Sequence, residues 1–359
     1  IGLAHVFAVS GLHIGILYTF MTNILSLIGV NKKKRFFITW GILWIYGFLI
    51  GYPTSVLRTL FMFTVLFMAD LLYRKYNSIN AISFAALILL IINPLWIFDV
   101  GFQLSFSAAL ALVIYSKYVK KLIKNKYKII NTLFVFIFLQ IFILPILAYH
   151  FNYIPILGIA YNILFIPAFT IVIIVSFGLL IIGWADIYII NLLFSILDYY
   201  MYSLNYLIYL LNYIKFNGVK IYSLNIYEIV SYYLFILIGL YTNKKNNKRV
   251  VTIIYIFFII VFLFNGVLIP LTDSNLYINI IDVGQGSGAL FSYKNKNFIV
   301  DAGSNSNKDI GINTLLPYME KRGIFSIEGM FISHWHIDHY SGINTLLENL
   351  NVRRIYSGY

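Results

Sequence analysis

Half of the six histidines in this 359-residue chain fall within six positions, in the run Ser333-His334-Trp335-His336-Ile337-Asp338-His339-Tyr340-Ser341-Gly342. Three imidazoles and a carboxylate on one tight loop are donors suited to Zn²⁺ or Mn²⁺ held through nitrogen and oxygen. The chain has no cysteine, which excludes both a thiolate site and a disulfide framework. The alternation of His334 and His336 lets both rings address one ion, while Asp338 and His339 turn toward a neighbouring position. Surface histidines of an ordinary polar loop are the plain alternative, and their concentration in one place argues against it. Two carboxylates upstream sit at strand-to-turn junctions: Asp301 in Val300-Asp301-Ala302-Gly303, and Asp282 in Asp282-Val283-Gly284-Gln285-Gly286-Ser287. Asp301 is placed to accept a hydrogen bond from a metal-binding histidine and so orient it. Asp282 is grouped with it as a supporting carboxylate, ahead of glycines that permit close backbone approach. Alone, each would be an ordinary turn.

The elements that must position these residues begin near residue 273. Residues 277–282, 289–293 and 297–301 read as strands, with turns at 284–286 and 294–297. A helix is predicted over 313–322, a short buried strand over 329–333 leading straight into His334, and another helix over 345–350. Strands followed by alternating helix and strand suit a layered α/β sandwich.

The rest of the chain belongs to a different solvent. Overall it is 61% hydrophobic and 11% charged, with a mean hydropathy of +0.85, against roughly 45–50% and 25% for soluble domains. Apolar runs near 5–29, 36–52, 57–73, 79–93, 102–116, 129–149, 156–183, 187–213, 227–242 and 250–269 suggest about ten crossings. The run over 156–183 contains Pro167 and reads either as one crossing or as a re-entrant, broken helix. The net charge of +13 invites a nucleic-acid reading. However, 19 of the 26 Lys and Arg lie in residues 1–270, 16 of them in four short breaks at 32–35, 74–75, 117–128 and 244–249. Alternate threading puts all four breaks on one side, which the charge bias makes cytoplasmic. One further span then carries the chain out, so the domain after residue 270 is expected to face outward. The polar islands Ser10-Gly11-Leu12-His13, Pro53-Thr54-Ser55 with Arg58, the stretch from Asp99 to Ser107, and His150 with Asn152 fall mostly on that outer side. A solvated vestibule accounts for them. Ser10 and His13, one turn apart, suit either a pore role or a hydrogen bond between helices. Thirty Tyr and 31 Phe fit interfacial belts, so no single aromatic is assigned a contact. The chain opens at Ile1 in an apolar run, without a readable signal peptide, and is expected to be a fragment cut at both ends.

Several motifs in order resemble the ComEC family of DNA-internalisation competence proteins. His5-Val6-Phe7-Ala8-Val9-Ser10-Gly11-Leu12-His13 is similar to the family's H-x-x-A-I-S-G-L-H. Pro53, Ser55 and Arg58 resemble its P-x-S-x-x-R, and Asn93-Pro94 followed by Asp99-Val100-Gly101-Phe102-Gln103-Leu104-Ser105-Phe106 its N-P and D-x-G-F-Q-L-S-F elements. Asp282 to Gly286 resembles its D-V-G-Q-G-D, with Ser287 where the family usually shows Asp, and His334 to His339 matches the His-x-His-x-Asp-His signature of the metallo-β-lactamase fold. The resemblance implies a polytopic helical membrane channel over 1–270, followed over 271–359 by the N-terminal part of an αββα metallo-β-lactamase domain. It also implies DNA uptake across the bacterial cytoplasmic membrane: duplex is handled outside, one strand is degraded, and the other passes as a single strand. Two divalent ions, Zn or Mn, would serve the hydrolysis. His334 and His336 would hold one and Asp338 with His339 the other, with Asp338 also orienting the attacking water. Remaining ligands are expected beyond Tyr359. In the channel, Ser10, His13, Arg58, Asp99 and Gln103 are the candidate residues, with Ser105 and Ser107 beside them.

No ATP-binding loop is present; the resemblance implies a cytoplasmic ATP-driven motor and an outer DNA receptor as partners, along with membrane lipid and, as an open option, further copies of the chain. Two other readings stand. One is a membrane-tethered metallohydrolase acting on a cell-envelope or lipid-linked substrate. The other is a channel whose hydrolase-like domain binds without cutting. A plain β-lactamase would have no use for ten crossings.

Overall fold

A computed structural model of the chain describes residues 10–120, 128–182, 188–213, 218–221, 224–244, 253, 256, 274–294, 296–306 and 309–358. It divides into two compact units, Ile1–Ile146 with Pro155–Val219, and Leu147–Ile154 with Lys220–Tyr359.

The first unit is helical. Helices α1 (Gly11–Leu27), α2 (Lys32–Leu49), α3 (Thr54–Leu71), α4 (Ser78–Ile92) and α5 (Val100–Ile114) follow one another through short connections, with a 3₁₀ turn at Pro94–Phe98. Their starts are written in the sequence as caps. Asn31 accepts the Lys34 N–H at 2.9 Å, Asn77 that of Ile79 at 3.0 Å and Asp99 that of Phe102 at 2.8 Å. Helices α6 (Lys128–Phe151), α7 (Gly158–Ile182) and α8 (Tyr188–Asn212) come next, and α6 ends in the second unit. Helix α7 runs unbroken through Pro167, so the re-entrant alternative for 156–183 does not hold. Two contiguous cores hold the first helices together. Ile14, Leu17, Leu43, Val56 and Leu60 join α1, α2 and α3, with Phe177 of α7 against them, and Leu57, Ala85, Leu89, Phe102 and Phe106 join α3, α4 and α5. The starts of α1, α3 and α5 lie at one end of this bundle. At the other end Lys32 pairs with Asp70 at 3.0 Å, an exposed contact worth little by itself.

Among the described residues, the stretches Thr54–Leu71, Val100–Val119, Ile130–Phe151 and Gly158–Leu180 are long and apolar enough to cross a membrane, and shorter apolar helices cover Gly11–Leu27, Ser78–Ile92 and Ile226–Gly239. The expectation of about ten crossings is therefore met by four spans of sufficient length, with helices over nine of the ten apolar runs. The tenth run, 250–269, lies outside the described residues apart from positions 253 and 256.

In the second unit, α9 (Ile226–Lys244) precedes a five-stranded mixed sheet. Its strands are β1 (Leu276–Ile280), β2 (Gly286–Tyr293), β3 (Lys296–Ser304), β5 (Gly329–Ile332) and β7 (Ile355–Ser357), in that spatial order. The first three pair antiparallel, and β3, β5 and β7 run parallel. A separate parallel pair joins β4 (Ser326–Ile327) to β6 (Asn351–Val352). Leu290, Ile299, Met330 and Ile332 from the sheet pack with Leu315, Met319 and Leu346, which belong to or flank helices α10 (Leu316–Lys321) and α12 (Ile343–Asn349). The site loop follows β5 and enters a one-turn helix, α11 (Ile337–Tyr340). Asn152, expected among the vestibule residues, is instead buried. Its side chain donates to the Ile221 carbonyl at 3.3 Å, which ties the end of α6 to the segment before α9.

Candidate metal centre

Strand β5 delivers His334 at its tip, and α11 turns Asp338 and His339 back beneath it. The ring centroids of His334 lie 4.7 Å from those of His336 and 4.0 Å from those of His339. Asp301, in the second half of β3, is nearly fully buried and organises the cluster. Its Oδ1 accepts the Ser333 backbone N–H at 2.8 Å. Its Oδ2 accepts the Ser333 hydroxyl at 2.8 Å and faces His339 Nδ1 at 2.8 Å. Burial alone would raise the Asp301 pKa. The hydrogen bonds from the Ser333 N–H, His339 and the Ser333 hydroxyl outweigh it and hold the group below its ordinary value. An ionised Asp301 only accepts, so His339 carries its proton on Nδ1. Ser333, whose hydroxyl donates to Asp301, is left to accept from His334 Nδ1 at 3.0 Å. In the neutral form each ring then leaves Nε2 as its free nitrogen, and that of His339 lies 3.6 Å from Asp338 Oδ2. This donor set suits a divalent ion in chemistry and in tautomer. Among the described residues, no group of three or more His, Asp or Glu side chains is arranged to close around one. Ser333 was visible in the sequence only as the residue before the first histidine. Its role depends on a partner 32 positions upstream.

The glycines of the two upstream motifs form a cradle for this loop. A Cβ on Gly303 would stand 2.5 Å from the backbone at Asp338, His339 and Tyr340, and one on Gly286 would stand 2.8 Å from the Asp338 carbonyl. Only glycine lets α11 lie on β2 and β3 this closely. The Gly342 N–H donates to the Ala302 carbonyl and the Ser304 N–H to Ser341 Oγ, at 2.8 and 2.9 Å, fixing the loop's far end. Asp282 is exposed, and its carboxylate accepts the Gly284 N–H at 3.1 Å, which shapes the turn before Gly286. Among the described residues, no hydrogen bond links Asp282 to a histidine.

The channel candidates gather at the shared end of α1, α3 and α5. Arg58 Nε donates to Ser105 Oγ at 2.7 Å, and its guanidinium stands 6.0 Å from the Phe106 ring. Thr54 Oγ1 donates to Asp99 Oδ2 at 2.8 Å, so one carboxylate caps α5 and ties it to α3. A Cβ on Gly11 would stand 2.8 Å from Arg58 Nη2, which brings the start of α1 against the same cluster. Ser10 and His13 bond to each other within α1: the Ser10 N–H meets His13 Nδ1 at 3.2 Å in a capping box. The hydrogen bond between helices that their spacing allowed is replaced by this cap. Gln103 Nε2 donates to the Ile97 carbonyl at 2.8 Å, bracing the 3₁₀ turn.

Apolar helices in one unit and a His-x-His-x-Asp-His loop on a mixed sheet in the other define a membrane protein with a metallo-β-lactamase-like domain. Residues 281–358 match the metallo-β-lactamase superfamily, which points to the use of a divalent metal. Residues 1–246 match the family described as Competence protein, and the chain belongs to that family. It is similar to ComE operon protein 3 of Bacillus subtilis (strain 168), with 26% identity over 392 aligned positions covering 99% of this chain and 47% of the relative. It is also similar to Recombination protein 2 of Haemophilus influenzae, with 24% identity over 383 positions, 96% of this chain and 48% of the relative. The chain spans about half the length of the curated relatives it matches. No solved structure matches it significantly.

Proposed function

We propose that this chain is the transporting part of a DNA-uptake machine in the bacterial cytoplasmic membrane, with residues 1–270 as the channel and 271–359 as the opening part of an outward-facing, metal-dependent deoxyribonuclease. The observation that carries the reading is the Asp301–Ser333 pair, which hydrogen-bonds His339 and His334 at Nδ1 in a chain of the competence family. His334 and His336 would hold one divalent ion, and Asp338 with His339 a second. Bound there, the ions supply charge to polarise the phosphodiester and to lower the pKa of water. The chain's own residues do the rest. Asp301 fixes the direction of His339. Gly286 and Gly303 hold the α11 backbone so that Asp338 can orient the attacking water and take its proton. Asp282 keeps the turn that admits this contact. At the outer end of the helices Arg58, Ser105, Thr54 and Asp99 would frame the strand's entrance, with Ser10, His13 and Gln103 holding the elements around it. A cytoplasmic ATP-driven motor and an outer DNA receptor would complete the machine.

The direct test is cleavage of labelled duplex and single-stranded DNA by the full-length protein with Mn²⁺ or Zn²⁺, beside Asp338→Ala. Ion-dependent cutting by the parent and its loss in the variant support the nuclease. If a folded, metal-loaded parent leaves DNA intact, the substrate is something else in the cell envelope, or the domain only binds.

A further inference from the structure

Helix α8 packs one face on α7, where Leu204 joins Phe165 and Phe169, with Tyr200, Met201 and Leu207 beside them. Its opposite face carries a stripe. Tyr199, Tyr202, Tyr206, Tyr209 and Tyr213 recur at steps of three and four, the spacing of one helical face, and every one is more than half exposed. Tyr206 and Tyr209 stack with centroids 6.4 Å apart, and Tyr209 meets Tyr213 edge-on at 5.2 Å with their hydroxyls hydrogen-bonded. Asp198, exposed near the helix midpoint, stands at the head of the stripe. The exposed large side chains of α7 are aliphatic, Leu164, Ile171, Ile174 and Leu180, as are Leu192, Ile196 and Leu210 of α8 beside the stripe, which is what lipid accepts.

The stripe runs about 21 Å along the helix axis at 1.5 Å per residue, against a hydrocarbon thickness of roughly 30 Å. Aromatic belts sit at the two interfaces, and a stripe of this length is not one. Five phenol hydroxyls and a carboxylate turned toward acyl chains would be costly, so this face looks onto water or a polar partner. Residues 188–212 contain no Lys or Arg, and Asp198 repels phosphates. A nucleic acid meeting this face would therefore do so through its bases, by sequence-tolerant stacking, with the cations that such grooves set along the backbone supplied from other elements. Building on the DNA-uptake reading, we propose that the exposed face of α8 lines the path of the single strand, with the tyrosine rings stacking its bases in succession.

The chain's lack of cysteine provides the test. Single cysteines replace Tyr202, Tyr206 or Tyr209 in the full-length protein in transforming cells, with any cysteine elsewhere changed to serine and Leu204→Cys as the buried control. A membrane-impermeant, water-soluble maleimide should label the three stripe positions and spare Leu204→Cys, and transiting DNA should slow that labelling. Changing the three tyrosines together to Leu should lower uptake at least about tenfold, while Phe, which keeps the ring, stays near the parent. The proposal is overturned if the stripe is inert to the reagent, if its cysteines cross-link between two copies without protection by DNA, or if the Leu variant takes up DNA normally. A parent protein that admits no DNA would bring down the uptake reading itself, and this inference with it.

Discussion

At Asp301 one buried carboxylate accepts from a backbone N–H, a hydroxyl and an imidazole, and two of those contacts decide which nitrogen of His339 and His334 is left to bind. Supporting acceptors of this kind are worth about 10–100-fold in metal affinity. Asp301→Asn, which tolerates the positive φ of 54° at this position, is expected to weaken divalent-ion binding by about that factor with the far-UV CD spectrum unchanged, as measured by ion titration of the full-length protein. Ser333→Ala should weaken it too, by releasing His334 while leaving His339 tied to Asp301. The histidine cluster was legible in the sequence because its donors are contiguous. The link from Asp301 to His339 crosses 38 positions, and the sequence could suggest only that such an acceptor exists. That Asp301 contacts His339 follows from strand register, which no local pattern encodes, whereas the Asp282 turn is local, a carboxylate accepting from the backbone two residues on.

Element by element, the other strands and helices of the second unit were readable from alternation and turn residues to within a few positions, while Ser326–Ile327, Asn351–Val352 and the edge strand Ile355–Ser357 were too short to leave a period. The one-turn helix carrying Asp338 was read as loop, since four residues show no helical repeat. Its position depends on Gly303. Gly303→Ala would press a methyl against three backbone atoms at 2.5 Å. It should cost at least about 1–3 kcal/mol, seen as a lower melting temperature of the full-length protein, with a loss of ion binding larger than the melting shift alone explains. Among the helices, Asp99→Ala removes both the α5 cap and the tie to Thr54. About 1 kcal/mol is expected for the cap alone, and detergent-solubilised protein should melt earlier than an Asp99→Asn variant that keeps the cap.

For the whole molecule, hydropathy established that the chain is mostly a membrane protein, and four stretches among the described residues are long and apolar enough to cross. Helix α8, 25 residues long, is not among them: its tyrosines count as apolar in composition, while Asp198 and the hydroxyls of Tyr199, Tyr202, Tyr206 and Tyr209 make one face polar. Sidedness was read from four basic breaks, and the structure sets the starts of α1, α3 and α5 together opposite the Lys32–Asp70 pair, as alternate threading requires. If the account of sidedness is right, an epitope placed in the turn at Lys294 should be reached by antibody in intact spheroplasts, and one beside Lys33 only after lysis. Cutting outside and passage of one strand meet in a single observable, strand-resolved uptake. Duplex DNA labelled on one strand or the other is offered to cells carrying the full-length parent or Asp338→Ala. The account predicts that the parent leaves one strand's label outside as short products and brings the other in as an intact single strand, and that Asp338→Ala releases no products and admits little duplex-derived DNA. Equal release and equal entry in parent and variant would contradict it.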